Sequence, residues 1–218
     1  MKDELVVLQS QLETIQTKLK EASEQRLFND SIYQLIREEC NLQRRISLAK
    51  NEETAVILNF PYPWSTGAPR PHVISSGHKT FLIYYLNEKD PKWNPAALEI
   101  IDLQTEDDEI TVLVEFIGCY DYKFGGTNDE VLHGHPLSTH GLEAYEAHSI
   151  INSKWLENLK KINSVHPCYR PDLYENYRHF IFTFKDEIFE CIAEDYKVDV
   201  FKGRIKPIFD EATRRLFL

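Results

Sequence analysis

Leu5, Leu8, Leu12, Ile15, Leu19 and Ala22 recur at alternating steps of three and four residues. That spacing places all six on one stripe of a helix, an a/d seam of about three heptads. The residues between them are mostly Gln, Glu, Lys, Thr and Ser, so the rest of the helix surface is polar. A helix this short is marginal in water unless its apolar stripe is covered. The chain must therefore supply a second helix or recruit one.

The seam stops after Ala22, because its next two positions are Arg26 and Asn29. A new stripe starts at Ile32 and runs through Leu35, Ile36, Leu42 and Ile46 in a different register. Ser31 and Gln34 have the S-x-x-Q spacing of a capping box, in which each side chain satisfies an orphan N–H at the other end. Two helices are predicted, over about 3–26 and 32–50. They either fold back as a hairpin or continue as one coiled-coil helix through a stutter. Self-association or partner docking through residues 1–50 is expected on the second alternative, with Leu5, Leu8, Leu12, Ile15 and Leu19 as contact residues.

Beyond the polar boundary at 51–54 the text becomes sheet-like. Apolar runs at Phe81–Leu86, Leu98–Leu103 and Ile110–Ile117 read as strands. In Ile110–Ile117, Val112, Val114 and Phe116 fall on one face and Thr111, Leu113 and Glu115 on the other. Phe60–Pro71 carries four prolines with Tyr62 and Trp64, which forbids helix and predicts an extended segment whose aromatics pack inward. His179–Phe184 and Ile188–Ala193 flank Lys185-Asp186-Glu187 as a hairpin. Tyr145–Ile151 and Lys197–Phe201 are further strands. Helices are expected from a cap at Asn152 or Ser153 to about Ile162, and over about 207–217. The organisation is a helical element over 1–50 and a globular domain over 55–218. The fold class is α+β: an N-terminal helical hairpin or coiled coil, then a mainly antiparallel sheet with one or two packed helices.

The formal net charge is −10, and it is unevenly spread. Residues 55–196 hold 11 basic and 22 acidic side chains, a net of −11. Residues 197–218 hold 6 basic and 3 acidic side chains. A body this acidic repels phosphate backbones, so nucleic acid is not an expected partner. It attracts a basic protein and speeds the encounter. Glu106, Asp107, Asp108, Glu109, Asp129 and Glu130 are the candidate acids for that contact. No run of about 18 apolar residues occurs, so no membrane helix is expected. No secretory signal is read at the N-terminus. Cys40, Cys119, Cys168 and Cys191 are widely spaced without a C-x-x-C pair, which predicts reduced thiols in a cytoplasmic protein. Cys168 near His166, and Cys191 near His179, are weak candidates for a thiol nucleophile.

Half of the eight histidines lie between Gly125 and Ile150: His133, His135, His140 and His148. Histidine is the commonest metal ligand. On an extended backbone His133 and His135 would face the same side about 7 Å apart. His140, His148 or Glu143 could then complete a shell around a divalent transition metal. The spacing matches no established metal signature, and Asp121–Leu142 reads as one long loop with Gly125, Gly126, Gly134 and Gly141 along it. No G-x-S-x-G, P-loop or G-x-G-x-x-G occurs. The expected function is a non-enzymatic interaction module, such as an inhibitor or immunity-type protein, with no cofactor. A metal-dependent hydrolase or oxygenase built on the histidine-rich segment is the alternative.

Overall fold

The computed structural model describes residues 2–25, 30–67, 69–77, 79–87 and 109–218. The expected strand at 98–103, and Glu106, Asp107 and Asp108, lie outside the described residues. The two N-terminal stripes form α1 (Lys2–Glu24) and α2 (Asp30–Ala49). Leu8 and Ile15 of α1 bury against Leu42 and Ile46 of α2, with Leu5, Leu12, Leu19 and Leu35 at the margins. Gln16 Nε2 donates to Glu39 Oε1 at 2.9 Å. Gln9 and Leu12 share one hollow with Ile46 and Lys50, while Ile15 and Lys18 share another with Gln34 and Leu42, so the helices run antiparallel as a hairpin and the seam is covered within the chain. α2 starts at Asp30, which places Ser31 inside the first turn rather than at the cap.

Among the described residues nine strands follow: β1 (Thr54–Ile57), β2 (His72–Ser76), β3 (Lys79–Tyr85), β4 (Ile110–Ile117), β5 (Asp121–Gly125), β6 (Ala147–Ile151), β7 (Arg178–Thr183), β8 (Ile188–Ala193) and β9 (Asp195–Lys202). α3 (Lys154–Asn163) lies between β6 and β7, and α4 (Lys206–Leu216) closes the chain. The strands form two antiparallel sheets, ordered β1-β6-β7-β8-β5 and β2-β3-β4-β9. Two sheets stand where the sequence suggested one, and the α+β class holds.

The sheets share one core. Phe180, Phe182, Phe189 and Cys191 come from the first, and Leu82, Tyr84, Val112, Val114 and Phe116 from the second. The strand alternation read in β4 and β7 thus becomes the inner face of a sandwich. Its rings meet edge-on or tilted. Phe116 and Phe189 centroids are 5.1 Å apart, Phe60 and Phe182 5.2 Å, and Trp64 and Phe184 4.7 Å, distances at which offset geometry is favourable. The proline-rich segment closes one side of this core. Trp64 is buried, and its Nε1 donates to the Thr183 carbonyl at 3.1 Å.

Both outer faces are also covered. Ile205, Ile208 and Ala212 of the C-terminal segment pack on Phe81, Ile83, Tyr85 and Leu113. Arg215 pairs with Glu115 at 3.4 Å, fixing α4 to that sheet. The other sheet is capped by Leu132, Leu137 and Leu142, which rest on Ala55, Ile150, Ile181 and Ile188. The long loop expected from Asp121 therefore begins with strand β5. It continues into a 3-10 helix over Asp129–Gly134, capped by Asn128 Oδ1 on the Val131 N–H at 3.2 Å.

Candidate functional site

The outer face of the five-stranded sheet mixes apolar and polar side chains. Alternation along the strands sends His148, His179, Thr183, Glu190 and Lys123 to this face, next to Ile150, Ile181 and Ile188. The covering segment 129–142 and α3 then shut all of these polar groups but the exposed Lys123 away from bulk water, so each buried one needs a partner.

Glu190 is the centre of the largest group. Ser153, the N-cap of α3, accepts from the Leu156 N–H at 3.1 Å. Its hydroxyl lies 2.8 Å from His179 Nδ1, and His179 Nε2 lies 3.1 Å from Glu190 Oε2. The consistent proton arrangement is Ser153 O–H to Nδ1 and Nε2–H to the carboxylate. His135 Nδ1 accepts from the Leu137 N–H at 3.1 Å, so its proton sits on Nε2, 3.7 Å from Glu190 Oε1. Lys123 Nζ is 3.5 Å from Glu190 and 3.8 Å from the Trp155 ring centre. Burial opposes the charge on Glu190, but the neighbouring His135, the His179 hydrogen bond and the Lys123 charge outweigh it, holding the carboxyl well below the usual range.

A serine, an imidazole and a carboxylate in line invite comparison with an acyl-transfer triad. The roles of the two ring nitrogens are exchanged here, and Ser153 and His179 are only 5% and 3% exposed. The Lys154 N–H beside the serine is occupied by Glu53 Oε1 at 2.7 Å. The relay therefore ties α3, β7, β8 and the segment after the 3-10 helix into one unit.

A second polar group fastens the helical hairpin to the sandwich. Arg44 of α2 donates from Nε to the Ala55 carbonyl and from Nη2 to the Gly141 carbonyl, each at 2.8 Å. Nη2 also meets Glu143 Oε1 at 2.7 Å, with both side chains nearly buried. Gly141 has φ +89, and a Cβ there would stand 2.8 Å from Arg44 Cβ and 2.9 Å from the Ala55 oxygen. Only glycine permits both the turn and this close approach. Beside it, the Glu143 N–H donates to His148 Nε2 at 3.2 Å. Burial, reinforced by Arg44 and opposed by the Glu146 backbone, lowers the His148 pKa to about 3.

The four sequence-predicted histidines thus go to four places. His133 is exposed on the 3-10 helix. His135 joins Glu190. His140 Nδ1 is 3.1 Å from Thr139 Oγ1, with Nε2 3.7 Å from Glu52. His148 is fully buried on β6. The extended backbone that would have aligned His133 with His135 is replaced by the 3-10 turn. Among the described residues, no group of three or more His, Cys, Asp or Glu side chains could hold a metal ion. The cysteines are unbridged. Cys191 is fully buried, and burial, then Cys119, pushes its thiol well above the ordinary value, the reverse of what a nucleophile needs.

Of the candidate acids, Asp129 accepts from the Tyr145 hydroxyl, while Glu130 is exposed on the 3-10 helix. The Glu109 carbonyl accepts from the Gly203 N–H at 2.9 Å. A surface not foreseen in the sequence lies along β5, an outermost strand of its sheet. Tyr120, Tyr122 and Phe124 are 36%, 42% and 41% exposed there. Tyr122 stacks on Phe189 at 6.4 Å, and Tyr120 leans on Tyr177 at 5.6 Å and Tyr174 at 5.8 Å. Acids stand at both ends: Glu194 and Asp195 beside Gly118–Tyr120, and Asp186 and Glu187 in the β7–β8 turn next to Gly125. The signal in the sequence was the Y-x-Y-x-F alternation at 120–124, which the assumption of a loop concealed. Among the described residues no helix is long and apolar enough to cross a membrane. No protein-family model matches the chain, and neither a curated protein nor a solved structure matches it.

Proposed function

We propose that the protein is a non-enzymatic, cytoplasmic interaction module whose acidic sandwich binds a basic protein along the β5 edge. The observation that carries this reading is the row of exposed rings at Tyr120, Tyr122 and Phe124 with acids at both of its ends. Tyrosine is enriched at the energetic centres of interfaces, because it contributes large contact area at little entropic cost. Arginine and lysine side chains stack on such rings while carboxylates around them neutralise the charge. The net of −11 over residues 55–196 steers a cationic partner toward the sandwich from a distance. An inhibitor that covers the basic face of an enzyme is one form this function takes.

The test is capture of companions from the native source with the wild-type chain and with Tyr122→Ser/Phe124→Ser. A basic companion in near-equal amount is expected, weakened about tenfold or more by the double substitution and released as salt rises. Recovery of the bait alone, or a companion indifferent to both the substitutions and salt, rejects the reading.

A further inference from the structure

The outermost strands of the two sheets are not equally finished. The edge of β1 is met by the covering segment, where the Ala55 N–H donates to the His140 carbonyl at 2.9 Å. β2 and β5 are short, at five residues each, and the Tyr122 N–H of β5 is taken by Asp121 Oδ1 at 2.9 Å. β9 runs for eight residues, Asp195–Lys202, in unbroken register with β4 and without a proline. Which of its backbone groups face outward follows from the ladder. The Gly203 N–H donates to the Glu109 carbonyl, and the Leu86 N–H to the Ile110 carbonyl, each at 2.9 Å. Bonded and non-bonded pairs alternate in an antiparallel ladder, so the odd-numbered residues of β9 bond β4. Tyr196, Val198 and Val200 turn their N–H and C=O groups away from it. Among the described residues no segment pairs with β9 on that side. The side chains of these three residues lie on the inner face, opposite Phe116, Val114 and Val112, and Val200 is 47% exposed. On the outer face Lys197 is exposed, and Asp199 pairs with Arg215 at 2.5 Å while its side chain stays 46% exposed.

We infer that β9 pairs antiparallel with β9 of a second copy of this chain, about a two-fold axis at Val198, joining two four-stranded sheets into one. An unpaired edge is a template for another strand, and a two-fold contact opposes residue i with j and j with i. Centred on Val198, the pairing sets Val198 against Val198 and Tyr196 against Val200 on the inner face. Both are hydrogen-bonded positions, because they use the outward backbone groups. On the outer face Lys197 of each copy stands against Asp199 of the other. That pair falls at non-bonded positions, where side chains come closest, and unlike charges so placed stabilise a sheet. Moving the axis by one residue either way opposes Lys197 with Lys197 or Asp199 with Asp199, which destabilises it. The charge pattern thus selects one central register. A strand of uniform charge from another protein would meet its own sign at Lys197 or at Asp199. The inference concerns the second sheet and is independent of the basic-partner reading at the β5 edge.

The experiment is sedimentation of the full chain at concentrations up to about 100 μM, since contacts of small area are weak. Near-physiological salt screens the repulsion between two acidic bodies. A species of twice the 25.6 kDa chain mass is expected. Val198→Pro deletes an outward donor and no bond to β4, a position where an edge strand accepts proline, and should leave only monomer. Lys197→Glu opposes two carboxylates at each end of the contact and should raise the dissociation constant about tenfold. Tyr122→Ser/Phe124→Ser should leave the dimer intact. Circular dichroism verifies that the variants fold. The register is read by oxidation with diamide in a Cys168→Ser background. Val198→Cys places two thiols at the axis with Cα atoms about 5.5 Å apart, within reach of a disulfide, and should give a covalent dimer. Val200→Cys faces Tyr196 and should not. Monomer at every concentration, a dimer unaltered in folded Val198→Pro or Lys197→Glu, loss of the dimer in the β5 variant, or preferential crosslinking of Val200→Cys overturns the inference.

Discussion

On β7, Phe180 and Phe182 point toward the second sheet, while His179, Ile181 and Thr183 point away from it. The two faces of this one strand are held by different physics. The inner face is a continuous apolar core whose stability comes from area removed from water and from close contact among rings. The outer face buries polar groups that contribute only when matched: Glu190 with His179 and His135, Thr183 with the Glu143 carbonyl at 2.8 Å, and His148 with the Glu143 N–H. An apolar core tolerates shape-conserving change, whereas one missing hydrogen-bond partner leaves a buried group unsatisfied. The inner face therefore contributes bulk stability, and the outer face dictates which segment covers it.

The hardest blow to the inner face is Phe182→Ala. That side chain is fully buried and touches Phe60, Trp64, Phe116 and Phe189. The substitution should cost about 4 kcal/mol, seen as a lower urea midpoint at an unchanged slope. A loss below about 1 kcal/mol would show that the inner face lacks the dominance assigned to it.

On the outer face, Glu190→Gln removes the charge on which His135, His179 and Lys123 converge. A loss of about 2 kcal/mol is expected at pH 7. Because the folded-state pKa of Glu190 is depressed below its ordinary 4.5, its contribution is present above pH 4.5 and fades as pH falls below it. Wild type and variant should converge in acid, and a difference that persists unchanged at pH 3 would assign the effect to shape rather than charge.

His148 sharpens the comparison in a different pH window. Its ring is neutral in the folded chain down to about pH 3 but takes up a proton below about 6.5 when unfolded. The unfolded state thus gains a proton first, and stability falls as pH drops from 6.5, by up to about 1.4 kcal/mol per unit. His148→Gln should remove that component, so the wild type loses about 1 kcal/mol more than the variant between pH 7 and pH 5.5. Parallel pH curves for the two proteins would show that the buried imidazole does not titrate as its environment dictates.

Legibility in the sequence follows the same division. The Phe180-Phe182-Phe184 alternation, the Lys185-Asp186-Glu187 turn and the six-position heptad stripe are local patterns, and each became the element its period predicts. The cap at Ser153 was legible for the same reason, since its bond reaches only to Leu156. The short strand β2 carries no alternation that marks it in the sequence, and β5 lies in the stretch that reads as loop. Pairing with β8, supported by Phe189 beneath Tyr122 and Phe124, overrode the polar residues between the rings. The partners of Glu190 lie 11 residues away at His179 and 55 away at His135, separations at which no periodicity operates.

The sequence by itself determined the secondary-structure periods, the α+β class and the sign of the charge, because each is a property of neighbours a few residues apart or of a simple sum. The tertiary structure alone decided that the strands divide into two sheets, that the heptad seam is answered by α2, and that the four histidines part company. Those outcomes depend on which buried polar groups find partners across long stretches of chain. That matching is three-dimensional, since a hydrogen bond requires position and direction as well as residue type.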